Sequence, residues 1–280
     1  MKRRRFIALA GLGATGAFAW PSSRSVASGS GIKWQPDGGG SSVARIGVLT
    51  PDFDPVPESE MWAMAPPGVS IHASRVARKG VDPGSFAEPP QVDNAVELLA
   101  NLRPGAILYA YTGSSYALGA EADDSLRARL EKRAGGIPVF LAAVTASEAL
   151  RILAVHRVAL VHPPWFSEEV SGKGRDYFRS RGFEVVSCTR ISPARPFTEV
   201  PPAEVYDWAK ANVPREAEAL FIGGNGLRAI GVIEALEQTL ARPVLTANQV
   251  IFWQALRIAG ITSKVTHDGK IFAKNAAKNI

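Results

Sequence analysis

Apolar positions along this chain fall into two patterns. Short runs rich in Val, Ile and Leu predict strands at 44–50, 68–75, 106–111, 137–141, 157–162, 183–188, 218–223 and 242–246. Between them, apolar residues returning every three or four positions predict helices at 91–102, 121–133, 146–154, 167–181, 202–211, 227–239 and 249–259. Strands interleaved with helices imply an α/β fold whose parallel sheets are covered on both faces. Ligands of such sheets bind at the carboxyl ends of the strands.

Two turns at predicted strand ends carry most of the chemical interest. Tyr109-Ala110-Tyr111-Thr112-Gly113-Ser114-Ser115 follows Ala106-Ile107-Leu108, and Ile222-Gly223-Gly224-Asn225-Gly226 follows Ala219-Leu220-Phe221. A turn rich in glycine and hydroxyls ahead of a helix exposes backbone N–H groups, and these bind anions, carboxylates included. Thr50-Pro51-Asp52 and Thr246-Ala247-Asn248-Gln249 fall at two further strand ends. The candidate substrate-binding residues are therefore Pro51, Thr112, Gly113, Ser114, Ser115, Gly223, Gly224, Asn225, Gly226 and Asn248. Each has a plainer alternative. Thr112, Ser114 and Ser115 either donate to a carboxylate or cap the next helix. The glycines either admit a ligand or make a tight turn.

The two turns belong to a wider repetition. Arg45-Ile46-Gly47-Val48-Leu49-Thr50-Pro51 resembles Arg157-Val158-Ala159-Leu160-Val161-His162-Pro163. Pro138-Val139 with Ala149-Leu150-Arg151-Ile152 resembles Pro243-Val244 with Ala255-Leu256-Arg257-Ile258. Three blocks recur in order, displaced by roughly 105 to 113 positions, too long a period for a solenoid. The alternative is chance likeness between buried strands. Two α/β halves with a cleft between them are the expected organisation, the first over 43–155 and the second over 156–280.

Composition fits that plan. A chain of 280 residues can bury two sizeable cores, and 46% apolar with 21% charged residues is ordinary for a globular protein. The pI of about 9.6 suggests a nucleic-acid partner, but the charge is concentrated in one place. Residues 1–27 hold Lys2, Arg3, Arg4, Arg5 and Arg24 and no acid, which is +5 of the total +6. The remainder has no basic stripe, so nucleic acid is set aside. Arg3-Arg4-Arg5-Phe6-Ile7 matches the twin-arginine export pattern, and Ser25-Val26-Ala27 supplies a small-residue cleavage site. The expectation is a signal peptide over 1–27, a Gly/Ser linker over 28–42, and export to the periplasm or beyond with the twin-arginine machinery as partner. An uncleaved basic tail on a cytoplasmic protein is the alternative.

Several chemistries find no support. The single cysteine, Cys188, sits in an alternating strand-like stretch and reads as core packing, not as a nucleophile. His72, His162 and His267 are too far apart for a zinc-type spacing, and no metal is expected. Gly223-Gly224-Asn225-Gly226 lacks the spacing of a dinucleotide fingerprint, and no Walker motif is present. No cofactor is expected.

At the stretches Arg45–Pro51, Tyr109–Thr112, Gly174-Arg175-Asp176-Tyr177-Phe178, Gly182–Val186 and Arg242–Gln249 the chain resembles a known family. It is similar to the aspartate/glutamate racemase superfamily, in the branch holding arylmalonate decarboxylase and maleate cis–trans isomerase, over roughly residues 44 to 275. The resemblance implies two flavodoxin-like halves related by pseudo-twofold symmetry, with the active site in the cleft between them. It also implies acid/base or nucleophilic chemistry at a carbon beside a carboxylate, performed in that family by cysteines. Here the first cysteine position matches Tyr111 and the second matches Gly224. A carboxylate-holding tyrosine matches Pro164, and a substrate-contacting asparagine matches Asp54.

With the thiols absent, Tyr111 and Asp54 are the candidate catalytic residues. Tyr111 either donates a proton, if its surroundings lower its pKa, or fills the space of a smaller thiol. Asp52, Asp54, Glu58 and Glu60 cluster after the first strand; one is a general base or all are solvated loop acids. Arg75 is a candidate anion partner, and His162 is expected at the cleft rim. Tyr111, Trp165, Phe166 and Trp253 form either an aromatic pocket or core.

Two functions follow. One is a racemase-, isomerase- or decarboxylase-like protein acting on a small carboxylic acid through a site without cysteine. The other is an exported binding protein that holds a carboxylate without turnover. A third class, an interaction protein with an incidental cleft, and the oligomeric state stay open.

Overall fold

The computed structural model describes residues 42–196, 199–261, 263, 265 and 269–273. The expected signal peptide, its linker as far as residue 41, and His267 lie outside the described residues. All eight expected strands are present, as β1 (Ala44–Pro51), β2 (Val69–Val76), β3 (Ala106–Tyr109), β4 (Val139–Leu141), β5 (Arg157–His162), β6 (Glu184–Arg190), β7 (Ala219–Ile222) and β8 (Val244–Thr246). They form two four-stranded sheets, both wholly parallel, in the orders β2-β1-β3-β4 and β6-β5-β7-β8. The second order repeats the first, as the sequence repetition predicts. Equivalent residues pair in both sheets: Ile46 faces Ala106 in the first, and Val158 faces Ala219 in the second. This is the α/β fold of two flavodoxin-like halves.

Ten helices accompany the strands among the described residues: α1 (Val56–Met64), α2 (Gln91–Ala100), α3 (Thr112–Leu118), α4 (Ala120–Arg133), α5 (Ala142–Ile152), α6 (Glu168–Ser180), α7 (Pro202–Asn212), α8 (Ile233–Leu240), α9 (Ala247–Ile258) and α10 (Gly269–Phe272). Their boundaries have local causes. Ser167 caps α6 by accepting the Val170 N–H, and Thr246 and Gln249 form a reciprocal capping box that starts α9 directly at the end of β8. In the first half α5 likewise starts directly after β4. Gly119, with φ of +81°, separates α3 from α4.

Two expectations need correction here. The helical pattern at 227–239 is helical only from Ile233, because residues 223–229 form a loop and a single 3-10 turn covers Ile230–Val232. The second Gly-rich turn therefore does not lead straight into a helix, as the first does. The other correction concerns α1, α3 and α10, which the pattern did not predict.

Alternate residues of β3 serve two cores, as the period of a strand requires. Ile107 and Tyr109 join Leu49, Val92, Val96 and Leu130 under α2 and α4. Ala106 and Leu108 join the larger cluster, which runs through Ala146 and Leu150 of α5 into Val250 and Trp253 of α9 and on to Val161 and Leu220 of the second sheet. α5 packs along α9, and α3 packs on α6. One hydrophobic body thus fills the space between the halves.

Candidate functional site

The loops after β1, β2, β3, β5 and β7 enclose a cavity of about 330 Å³. Its lining is Phe53, Asp54, Arg78, Tyr111, Gly113, Trp165, Phe166, Gly224, Asn225 and Gly226. The cavity thus lies at the carboxyl ends of strands from both halves, where a parallel α/β protein binds its ligands. Six of the twelve candidate residues line it: Asp54, Tyr111, Gly113, Gly224, Asn225 and Gly226.

Asp54 is buried, and its Oδ1 accepts the Val56 N–H at 3.0 Å. Burial raises its carboxyl to about 7, against the Val56 hydrogen bond and the Arg75 charge, which lower it. Arg75 does not enter the cavity. It forms an ion pair with Glu58 and donates to the Asp54 carbonyl at 3.0 Å, so it braces the loop. Asp52 is exposed.

Tyr111 stacks edge-on against Phe86 at 5.0 Å between centroids, and its hydroxyl accepts from Arg78 Nη1 at 3.5 Å. Burial raises the phenol above its ordinary value, with Arg78 pulling the other way. That is opposite to the lowering that proton donation by a phenol needs. Tyr111 therefore keeps its proton. Arg78 was not anticipated from sequence. It lies two residues beyond the end of β2, where a basic side chain after a parallel strand was the available signal.

A buried polar chain crosses between the halves behind the cavity. Asn225 Oδ1 accepts from both the backbone N–H and the hydroxyl of Thr112, at 2.8 and 2.6 Å. Asn225 Nδ2 donates to Asn248 Oδ1 at 2.8 Å. Asn248 Nδ2 donates to Glu60 Oε2 at 2.8 Å and to the Asn225 carbonyl at 2.8 Å. Glu60 Oε1 accepts the Ala229 and Ile230 N–H groups at 2.7 and 3.1 Å. The start of the 3-10 turn thus already holds an anion, the carboxylate of Glu60 from α1. This explains why the helical pattern begins late.

The other candidates lie behind the cavity wall. Thr112 and Asn248 are buried in that chain, and Pro51 ends β1 with its carbonyl accepting the Asp54 N–H. Ser114 shares a hydrogen bond with the Tyr109 hydroxyl at 2.8 Å, and Ser115 is buried beside Asp123. A Cβ on Gly223 would lie 2.9 Å from His162 and from the Tyr116 hydroxyl. His162 is not at the rim: it is fully buried, with Nε2 3.2 Å from the Tyr116 hydroxyl and Nδ1 3.1 Å from Ser171 Oγ. His72 bonds Ser70 on β2, and Trp253 is buried in the shared core. Cys188 packs against that core on β6, 3.8 Å from His162 Nδ1, away from the cavity.

The sequence pattern described as arylmalonate decarboxylase matches residues 46–272, most of the chain. The chain belongs to the arylmalonate decarboxylase family. Solved structures agree on the fold. The maleate isomerase Iso from Pseudomonas putida S16 is 20% identical with a TM-score of 0.73, over 82% of this chain and 98% of that one. A mutant maleate cis–trans isomerase from Nocardia farcinica, carrying a covalently bound succinylcysteine intermediate, is 24% identical with a TM-score of 0.74, over 83% and 99%. An arylmalonate decarboxylase is 20% identical with a TM-score of 0.70, over 82% and 100%. A sequence search of curated proteins finds no match. This member of the arylmalonate decarboxylase family has no cysteine among the residues lining its cavity.

Proposed function

We propose that this chain binds a small carboxylate in the cavity and moves a proton at the carbon beside it without a thiol. The supporting observation is that the buried Asp54 carboxyl shares one cavity with the Arg78–Tyr111 pair. Arg78 supplies fixed positive charge. Tyr111 accepts from Arg78 and directs its own O–H toward a carboxylate oxygen. Asp54, with its carboxyl near 7, is present in both protonation states around neutral pH, as a general acid/base requires. The ionised form takes a proton from the carbon beside the carboxylate. The resulting enediolate places charge on oxygen, where Tyr111 and Arg78 meet it, and Asp54 returns the proton to carbon. In a decarboxylation the carbon–carbon bond to the departing carboxylate breaks instead, and protonated Asp54 delivers its proton to the same carbon. Phe53, Trp165 and Phe166 supply an apolar wall for the rest of the substrate.

One observation favours the second reading, a carboxylate-binding protein without turnover. Gly224, at the family's second cysteine position, has φ of +89°, and a Cβ there would lie 2.7 Å from Pro163 Cγ. The turn is shaped for binding with no room for a reactive side chain.

The deciding experiment is a thermal-shift screen of small mono- and dicarboxylates, followed by proton NMR of each stabilising ligand in deuterated water. Deuterium uptake, double-bond isomerisation or loss of carbon dioxide, abolished by Asp54→Asn, supports the enzyme. Stabilisation without turnover favours the binding protein. No stabilisation by any carboxylate counts against both.

We also propose that residues 1–27 direct export by the twin-arginine route, on the Arg3-Arg4-Arg5-Phe6-Ile7 pattern. Cell fractionation tests it: replacing Arg3 and Arg4 by lysine should retain the protein in the cytoplasm, and an unchanged distribution counts against export.

A further inference from the structure

The amide chain behind the cavity has only one consistent direction. The Thr112 backbone N–H is a donor and nothing else, so the Asn225 side-chain oxygen must face it. That turns Asn225 Nδ2 toward Asn248, whose oxygen receives it. Asn248 Nδ2 is left to donate, and its partner is Glu60 Oε2. The chain must therefore end on an acceptor. Glu60 Oε1 already takes two backbone N–H groups. A proton on this carboxyl would have to sit on Oε2, where it takes a second lone pair and weakens that oxygen as the acceptor of Asn248.

We propose that Glu60 is a positioning residue for the cavity: its ionised carboxylate fixes the amide direction of Asn248 and Asn225, and so the shape of the turn that lines the site. The inference rests on the carboxylate-site reading above for its functional meaning, but its geometry stands alone. Glu60 does not line the cavity, so its hydrogen bonds reach the site through Asn248 and Asn225. The charged groups facing it are Arg228, from the loop after β7, and Asp54, from the loop after β1. Burial raises Glu60 to about 7, against Asn248, Ile230, Ala229 and Arg228, which lower it. A separate groove of about 400 Å³, with Val56, Ser59, Ala63, Arg228 and Ile230 in its walls, opens on Glu60. Acidification through about pH 7 weakens the charge-assisted bond that holds Asn248 and so loosens the Asn225 turn.

A polarity swap in the full-length chain tests this. Glu60→Gln keeps the shape but turns a donor with no acceptor capacity toward Asn248. Adding Asn248→Asp moves the charge one residue along: the new carboxylate accepts from the introduced amide on one oxygen and from Asn225 Nδ2 on the other, at the cost of the bond that Asn248 Nδ2 gives the Asn225 carbonyl. The readout needs no ligand. It is the amide NMR signals of Thr112, Ala229 and Ile230 and the side-chain amides of Asn225 and Asn248, followed between about pH 5 and 9 in an Asp54→Asn background, which removes the neighbouring carboxyl that titrates in the same range. With Glu60 present, these signals should move together with a midpoint near 7. Glu60→Gln should abolish that midpoint and speed exchange of the Thr112 amide about tenfold or more, and the added Asn248→Asp should slow it again in part, the Asn225 carbonyl having lost its donor. Independent titration of the signals with Glu60 present overturns the proposal even where a variant fails to fold. Unchanged exchange of the Thr112 amide in a folded Glu60→Gln variant overturns it as well. Failure of every carboxylate to turn over would count against the enzyme reading and leave this outcome intact.

Discussion

Pro163 stands where a side chain on Gly224 would have to go. Its Cγ lies 2.7 Å and its Cδ 2.9 Å from the position of a Cβ there, and the Gly224 backbone has φ of +89°. Contact and backbone both exclude an ordinary L side chain. Gly224→Cys, which would put a thiol in this turn, is therefore expected to destabilise the protein by about 2–4 kcal/mol. It should not raise turnover above the parent's. Urea unfolding measures the first effect; a variant as stable as the parent would mean that the turn rearranges freely.

Tyr111→Phe keeps the ring that packs on Phe86 and removes the hydroxyl that Arg78 holds. Stability should change by less than about 1 kcal/mol, since the lost bond is long and partly open. Stabilisation by a bound carboxylate should fall about tenfold in affinity, the loss expected for one hydrogen bond to a charged group. Isothermal titration separates the two effects, and unaltered affinity would leave Tyr111 a packing residue.

Asp54 gives a pH signature. Its carboxyl rises from 3.8 to about 7 on folding, so the folded protein holds this proton more tightly than the unfolded chain does. The stability it contributes is fully present below about pH 4 and is lost as the pH rises through about 7. Asp54→Asn keeps an oxygen for the Val56 N–H and removes that loss. The variant should be more stable than the parent by about 1–3 kcal/mol at pH 8 and nearly equal at about pH 4. Denaturant midpoints at the two pH values check this, and a gap independent of pH would refute it.

His162 should not titrate. Full burial, with the Arg190 charge adding to it, pushes its imidazole down to about 3. Its ring proton resonances should stay fixed between about pH 5 and 9. Movement of those signals in that range would mean that solvent reaches the Tyr116–His162 pair.

Strands were legible in the sequence because parallel strands buried on both faces must be Val-, Ile- and Leu-rich, as Ile46–Leu49 and Ala219–Ile222 are. α1 was not. It starts at two prolines, and its buried face includes Glu60, whose partners lie about 170 and 188 residues away. α3 was hidden behind Thr112-Gly113-Ser114-Ser115, weak helix formers whose first N–H is satisfied by Asn225 from the other half. In both cases the missing information was a contact distant in sequence. The cavity was half legible: the turns announced Tyr111, Gly113 and Gly224 to Gly226, whereas Arg78 and Phe53 belong to loops without a motif.

The core that runs from Leu150 and Ala146 into Val250 and Trp253 has a thermodynamic consequence. Two sheets with the same strand order suggest two bodies that melt separately. A body of apolar side chains shared between them makes the exposure of either one costly to the other. Calorimetry should therefore record a single cooperative peak, with the repeat visible in the ancestry of the chain and not in its unfolding.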